Sequence, residues 1–192
     1  MAITNDSEAR AYGARILEGE RVRLRALEEG DLPALVAWWR SSEWAVLQQL
    51  IVRPRPTSVV EDQFRRWSQS EKPGEVGFCV VDKESGDLVG HVTLYGASLP
   101  ARSGTLTVMI GGEFVGHGYG VDAVRTLTRY GFREMGLHRI EIGVMAFNTR
   151  ARAAYRKCGY VEEGVRRQAV FHDGEYQDQV ILSALAHEWL RA

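Results

Sequence analysis

The chain is poor in cysteine. It holds two cysteines in 192 residues, Cys79 and Cys158. Two isolated cysteines form no metal-ligand spacing and need not pair. Cys79 lies in an apolar strand-like run and Cys158 near a helix end, so both read as reduced packing residues of a cytoplasmic protein. No apolar run approaches the roughly 18–20 residues of a membrane span. The N-terminus has no basic region followed by an apolar stretch, so no secretory signal is expected. Charge of one sign is also missing. Lys and Arg number 24 against 25 Asp and Glu, net −1, which leaves no basic field for duplex nucleic acid. There are no internal repeats and no linker, which makes one domain the economical reading. With 45% hydrophobic and 26% charged residues, the chain can build a full soluble core.

What is present is concentrated in one stretch, Ile110-Gly-Gly-Glu-Phe-Val-Gly-His-Gly-Tyr-Gly-Val-Asp-Ala-Val124. It reads as a strand end, a glycine turn and a helix start. Gly116, Gly118 and Gly120 permit positive φ and close approach of backbone to a ligand. The first helical N–H groups have no intrahelical partner, and with the helix dipole they suit a phosphate or pyrophosphate. Asp122 in the first helical turn would repel a phosphate held beside it. The dinucleotide fingerprint G-x-G-x-x-G is met only loosely, with Ala123 in the last place when counting starts at Gly118. The Gly-Lys-Ser/Thr ending of a P-loop is absent.

A second stretch, Asn148-Thr-Arg-Ala-Arg-Ala-Ala-Tyr155-Arg-Lys-Cys-Gly159-Tyr160, follows a β-rich run over 139–147. Asn148 suits an N-cap and Gly159 the position just past a helix. Together the two stretches resemble the GNAT family of acyl-CoA-dependent N-acyltransferases. That family's pattern is Arg/Gln-x-x-Gly-x-Gly/Ala, then Asn-x-x-Ala, a Tyr and Gly-Phe/Tyr. Here Gly118-Tyr-Gly120, Asn148-x-x-Ala151, Tyr155 and Gly159-Tyr160 match it, while Val115 replaces the Arg or Gln. The run 173–178, then Leu185 through Glu188-Trp189, resembles the Rim-type branch, which acetylates protein N-termini. The resemblance spans roughly Gly19 to Trp189.

The remaining chain fits this frame. Residues 1–12 are polar and aperiodic, an expected mobile leader to a domain over 13–192. Arg21 to Ala26 alternates as a half-buried strand with its arginines on a solvated face. Asp31 is placed to cap a helix reaching about Ser41, with Leu32, Leu35, Val36 and Trp39 on one face. Trp38 and Trp44 are left over, as candidates for an acceptor-pocket wall or for core. Ser58 and Glu61 read as a capping box for a helix carrying Val60, Phe64 and Trp67. Strands are expected over 75–81, 88–95, 105–110, 139–147, 160–171 and 176–185, and helices over 121–135 and 148–158. Asp173-Gly174 is a hairpin turn.

The order is mixed α/β. The resemblance adds a mostly antiparallel sheet of about seven strands flanked by helices, with a splayed strand pair forming the acyl-CoA cleft. It implies acetyl-CoA as cosubstrate and no metal, and an amine acceptor that is a protein N-terminus or a small molecule. A homodimer is one assembly it allows. Cofactor contacts are expected from Met109, Ile110, Val115, Gly116, His117, Gly118, Tyr119, Gly120, Val121, Asn148 and Arg152, with Arg150 or Lys157 also able to reach phosphate. A backbone N–H near Met109 or Ile110 would polarise the thioester carbonyl. Tyr155 would protonate the leaving sulfur, and Asn148 would cap its helix and touch the pantetheine or a water. The general base is unassigned. The family's Glu falls at Thr105, which leaves His91 and Glu113 as candidates. An α-amine, with a pKa of about 7.7–8.0, needs little help to be neutral. A catalytically silent acyl-CoA-binding module is the alternative of a different class.

Overall fold

The computed structural model describes residues 3–191. Met1, Ala2 and Ala192, the ends of the expected leader and domain, lie outside the described residues. The elements are α1 (Asp6–Gly13), β1 (Val22–Arg25), α2 (Leu32–Trp39), α3 (Ser42–Gln48), α4 (Thr57–Ser68), β2 (Val76–Asp82), β3 (Leu88–Ser98), β4 (Ser103–Ile110), α5 (Tyr119–Arg133), β5 (Arg139–Met145), α6 (Thr149–Lys157), β6 (Val161–His172), β7 (Glu175–Leu185) and α7 (Ala186–Trp189). One sheet runs in the order β1-β2-β3-β4-β5-β7-β6. Every neighbouring pair is antiparallel except β4 and β5. This is the mixed, mostly antiparallel sheet expected from the resemblance.

Period-two alternation divides the strands between two layers. On β2, Val80 faces a core shared with Val124 and Leu127 of α5. Its neighbour Cys79 faces a second core with Leu35 and Val36 of α2 and Val60 and Phe64 of α4. The sheet is therefore covered by α5 on one face and by α2 and α4 on the other. α5 carries the broader apolar stripe, burying Ala123, Val124, Leu127 and Phe132.

Several local expectations need correction. Residues 6–13 form a helix capped by the Asn5 side chain, which accepts the Glu8 N–H at 3.0 Å, and the Tyr12 hydroxyl donates to Glu134, the residue that follows α5. Arg25 is not a bystander on a solvated face: its guanidinium grips Asp31 with two bonds of 2.7 Å. Asp31 thus spends its carboxylate on Arg25 and on the Glu28 N–H at 2.8 Å, and makes no side-chain cap to α2. α4 begins at Thr57 behind Pro56, so Ser58 falls inside the helix and no capping box forms. α3 and α7 are further short helices beyond the expected set.

Candidate active site

β4 and β5 pair over three residues, Ser103–Thr105 with Arg139–Glu141. Beyond Thr105 each strand stays with its other neighbour. β4 follows β3 to Gly90–Ile110, and β5 follows β7 to Met145–Gln179. A gap opens between them, and two cavities meet in it. The first, of about 380 Å³, is bounded by Ile110, Val115, Gly116, Gly118, Gly120 and Val121 on the turn side and by α6. The second, of about 330 Å³, is bounded by Tyr95, Thr105, Thr107, Glu141, Arg166 and Gln179. Leu47, Gln48, Val108, Asn148 and Tyr155 belong to both and form the wall between them.

The glycine turn leaves its backbone open along the first cavity. Gly116 and Gly118 sit at φ 95° and 87°, where a side chain is strained. The bond from Asp122 N–H to the Gly118 carbonyl, 3.1 Å, opens α5. The N–H groups before it have no intrahelical acceptor, and Gly120 and Val121 among these residues line the first cavity. Asp122 does not oppose an anion there. Its carboxylate turns to β1 and accepts the N–H groups of Glu20, Arg21 and Val22 at 3.1, 2.7 and 2.9 Å. Gly19 makes this possible, because a Cβ there would stand 2.3 Å from Asp122 Oδ2.

The side chains of the turn contribute less than its backbone. His117 lies beside the Tyr119 ring at 6.2 Å, and the Tyr119 hydroxyl donates to Asp82 at 3.2 Å. Arg152 is held by Glu162 at 3.1 Å and by the Ala146 carbonyl, outside the cavity wall. Arg150 and Lys157 do line the cavity. The Arg150 guanidinium lies 5.1 Å above the Trp44 ring, which joins α6 to α3 across the opening.

On the shared wall, Asn148 caps α6 by accepting the Ala151 N–H at 3.1 Å. Tyr155 follows two turns later on the same side of the helix. Burial, with a smaller contribution from Cys158, pushes its phenol up to about 12, while Arg150 pulls the other way. Tyr155 is therefore protonated at neutral pH and free to donate. On β4, Gly111 donates across to the Val89 carbonyl at 3.0 Å. Strand alternation turns the N–H groups of Ile110 and Val108 the other way, into the gap. Met109 is buried among the α2 and α4 residues, although it too borders the cavity.

Neither candidate base lines the cavities. His91 lies on the sheet face under α4, 2.8 Å from Ser68 Oγ and edge-on to Phe64. Burial lowers its pKa to about 4, leaving it neutral. Glu113 accepts the Trp38 indole N–H at 3.0 Å. Trp38 itself packs on Gly111 and Phe114, whereas Trp44 reaches the first cavity. Cys158 is buried with its thiol pushed up to about 12 and donating to the Val121 carbonyl, and the buried Cys79 thiol donates to Asp31.

Glu141, Arg166, Gln179, Leu47 and Gln48 were not singled out from the sequence. The alternation of Glu141 with buried Ile140 and Ile142 signals that it faces away from the α5 core. Nothing local signals that a cavity lies there.

Comparison with known proteins agrees with this geometry. Residues 21–161 match the family described as "Acetyltransferase (GNAT) domain". The Bacillus subtilis protein named "Putative ribosomal N-acetyltransferase YdaF" is 33% identical over 176 residues, covering 88% of this chain and 94% of that protein. The spermidine N(1)-acetyltransferase of Vibrio cholerae is 26% identical over 179 residues, covering 88% and 96%. A crystal structure of the Vibrio cholerae spermidine N-acetyltransferase with CoA and spermine superposes with a TM-score of 0.79 at 26% identity, over 88% of this chain and 98% of that one. A glycine turn, a splayed strand pair and these matches define an acetyltransferase. The chain belongs to the GNAT acetyltransferase family. It uses acetyl-CoA as cosubstrate and transfers the acetyl group to an amine.

Proposed function

We propose that the acceptor is the α-amine of a polypeptide N-terminus, acetylated by direct attack in a ternary complex. The observation that carries this reading is the meeting of two cavities at one wall, which lets both substrates be present together. Bound acetyl-CoA supplies an activated acyl carbon and a thiolate leaving group. The chain does the rest. Backbone N–H groups from Gly116 to Val121 hold the pyrophosphate. Val115, an apolar residue, adds no polar side-chain contact to it. The Ile110 N–H polarises the acyl oxygen. Tyr155 delivers a proton to the sulfur.

The second cavity supports a peptide over a polyamine. Its carboxylate, Glu141, is already paired with Arg139 at 3.3 Å and Arg166 at 3.5 Å. A second ammonium group therefore finds its partner compensated, while Arg166 and Gln179 can donate to peptide carbonyls. Leu50, which borders the cavity, continues into Ile51 and Val52, and all three are exposed. That apolar strip suits the flank of a longer acceptor. With a hydroxyl rather than a carboxylate at Thr105 in the cavity wall, an acceptor that is partly neutral near pH 8 fits best.

The test is thiol release from acetyl-CoA with short peptides bearing free or blocked N-termini, beside spermidine and free lysine. The expected result is a kcat/KM for free N-termini at least tenfold above that for spermidine. Preference for spermidine, or equal use of blocked peptides, refutes the acceptor. No thiol release with any amine supports the silent binding module.

A further inference from the structure

We propose that Gln48 receives the acceptor amine, its amide oxygen accepting an N–H that the nitrogen keeps during attack. This rests on the amine-acetylation reading above and adds the residue that orients the nucleophile.

Gln48 closes α3 and stands at the wall shared by the two cavities. Its amide oxygen is shielded from solvent and has no donor among the described residues. A buried carbonyl without a donor is costly, and native proteins leave few of them. The next residue shows the contrast. Gln49 donates its side-chain N–H to the Trp39 carbonyl at 2.7 Å and pins the end of α3 to α2. The backbone at position 48 is thus anchored beside the junction, while the terminal amide turns about a soft torsion. Rotation about that torsion is what turns the buried oxygen out to a donor placed at the wall.

The chemistry asks for an acceptor of this kind. The attacking nitrogen must point its lone pair at the acyl carbon, so its N–H bonds need partners elsewhere. As the N–C bond forms and the C–S bond breaks, the nitrogen becomes positive. It then loses a proton to solvent, and Tyr155 protonates the departing sulfur. An amide oxygen steadies the developing charge without taking the proton. A carboxylate at the same place would hold the amine as ammonium and deplete the nucleophile.

Steady-state kinetics with both substrates varied, on the wild type, Gln48→Leu and Gln48→Glu, test the assignment. For Gln48→Leu, kcat/KM for the amine should fall about ten- to hundredfold, the worth of a hydrogen bond to a charged group. Its KM for acetyl-CoA should stay within about twofold, and its melting temperature should not drop, because an unpaired polar atom has been removed. For Gln48→Glu, the acid limb of the pH–kcat profile should move to higher pH. An unchanged amine kcat/KM in Gln48→Leu overturns the inference and leaves the reaction standing, as does a loss confined to the KM for acetyl-CoA. A wild type that acetylates no amine overturns both.

Discussion

Protonation of His91 should set much of the acid sensitivity of this fold. The imidazole is buried beneath Phe64 and Trp67, and burial lowers its pKa from 6.5 to about 4, with Asp31 pulling weakly upward. The unfolded chain takes up a proton below about 6.5, whereas the folded chain resists until about 4. The stabilisation is therefore complete above pH 6.5 and is lost as pH falls toward 4. At 1.36 kcal/mol per pH unit, the whole interval is worth about 3 kcal/mol, and about 2 kcal/mol is gone by pH 5. That is a large share of a stability of about 5–15 kcal/mol. Urea unfolding of wild type and His91→Gln between pH 5 and 8 isolates the effect. The advantage of wild type over the variant should shrink by about 2 kcal/mol from pH 7.5 to pH 5. Parallel curves would refute the reasoning. They would mean that His91 charges as readily in the fold as outside it, and would restore it as a proton acceptor.

Three other perturbations address the site. Tyr155→Phe should lower kcat by about a hundred- to ten-thousandfold, with acetyl-CoA affinity by calorimetry changed less than about twofold. Asp122→Ala strands three N–H donors of residues 20–22 and should lower stability in urea by about 3 kcal/mol. Gly143→Ala places a Cβ 2.8 Å from Gln179 Nε2. The displaced amide should raise the KM for the acceptor severalfold in thiol-release assays and leave that for acetyl-CoA unchanged.

The turn-to-helix segment was legible because its signals are local. Three glycines, a helix start and an apolar stripe fall within fifteen residues, and Asn148 and Gly159 bracket α6 in the same way. Features that depend on distant partners were not. Asp122, viewed alone, looks hostile to phosphate; its three donors lie about a hundred positions upstream. α3 buries only Ala45, and its larger side chains Trp44 and Leu47 border cavities, so no core-facing stripe announces it. α1 buries no residue and has only its Asn5 cap to define it. The second cavity draws Glu141, Gln179 and Arg166 from three strands. The register that sets Met145 and Arg166 against Gln179 brings them together, and no single stretch of sequence carries that information.

The three-residue seam between β4 and β5 also has a mechanical meaning. The sheet is two leaves, one of four strands and one of three, sharing a short spine. A molecule lodged between the leaves touches both and becomes part of what binds the book together. Saturation at a hundred times the dissociation constant adds about 2.7 kcal/mol to the folded state. Amide protection should then rise in β4 and β5 together, on the margins that face each other across the gap.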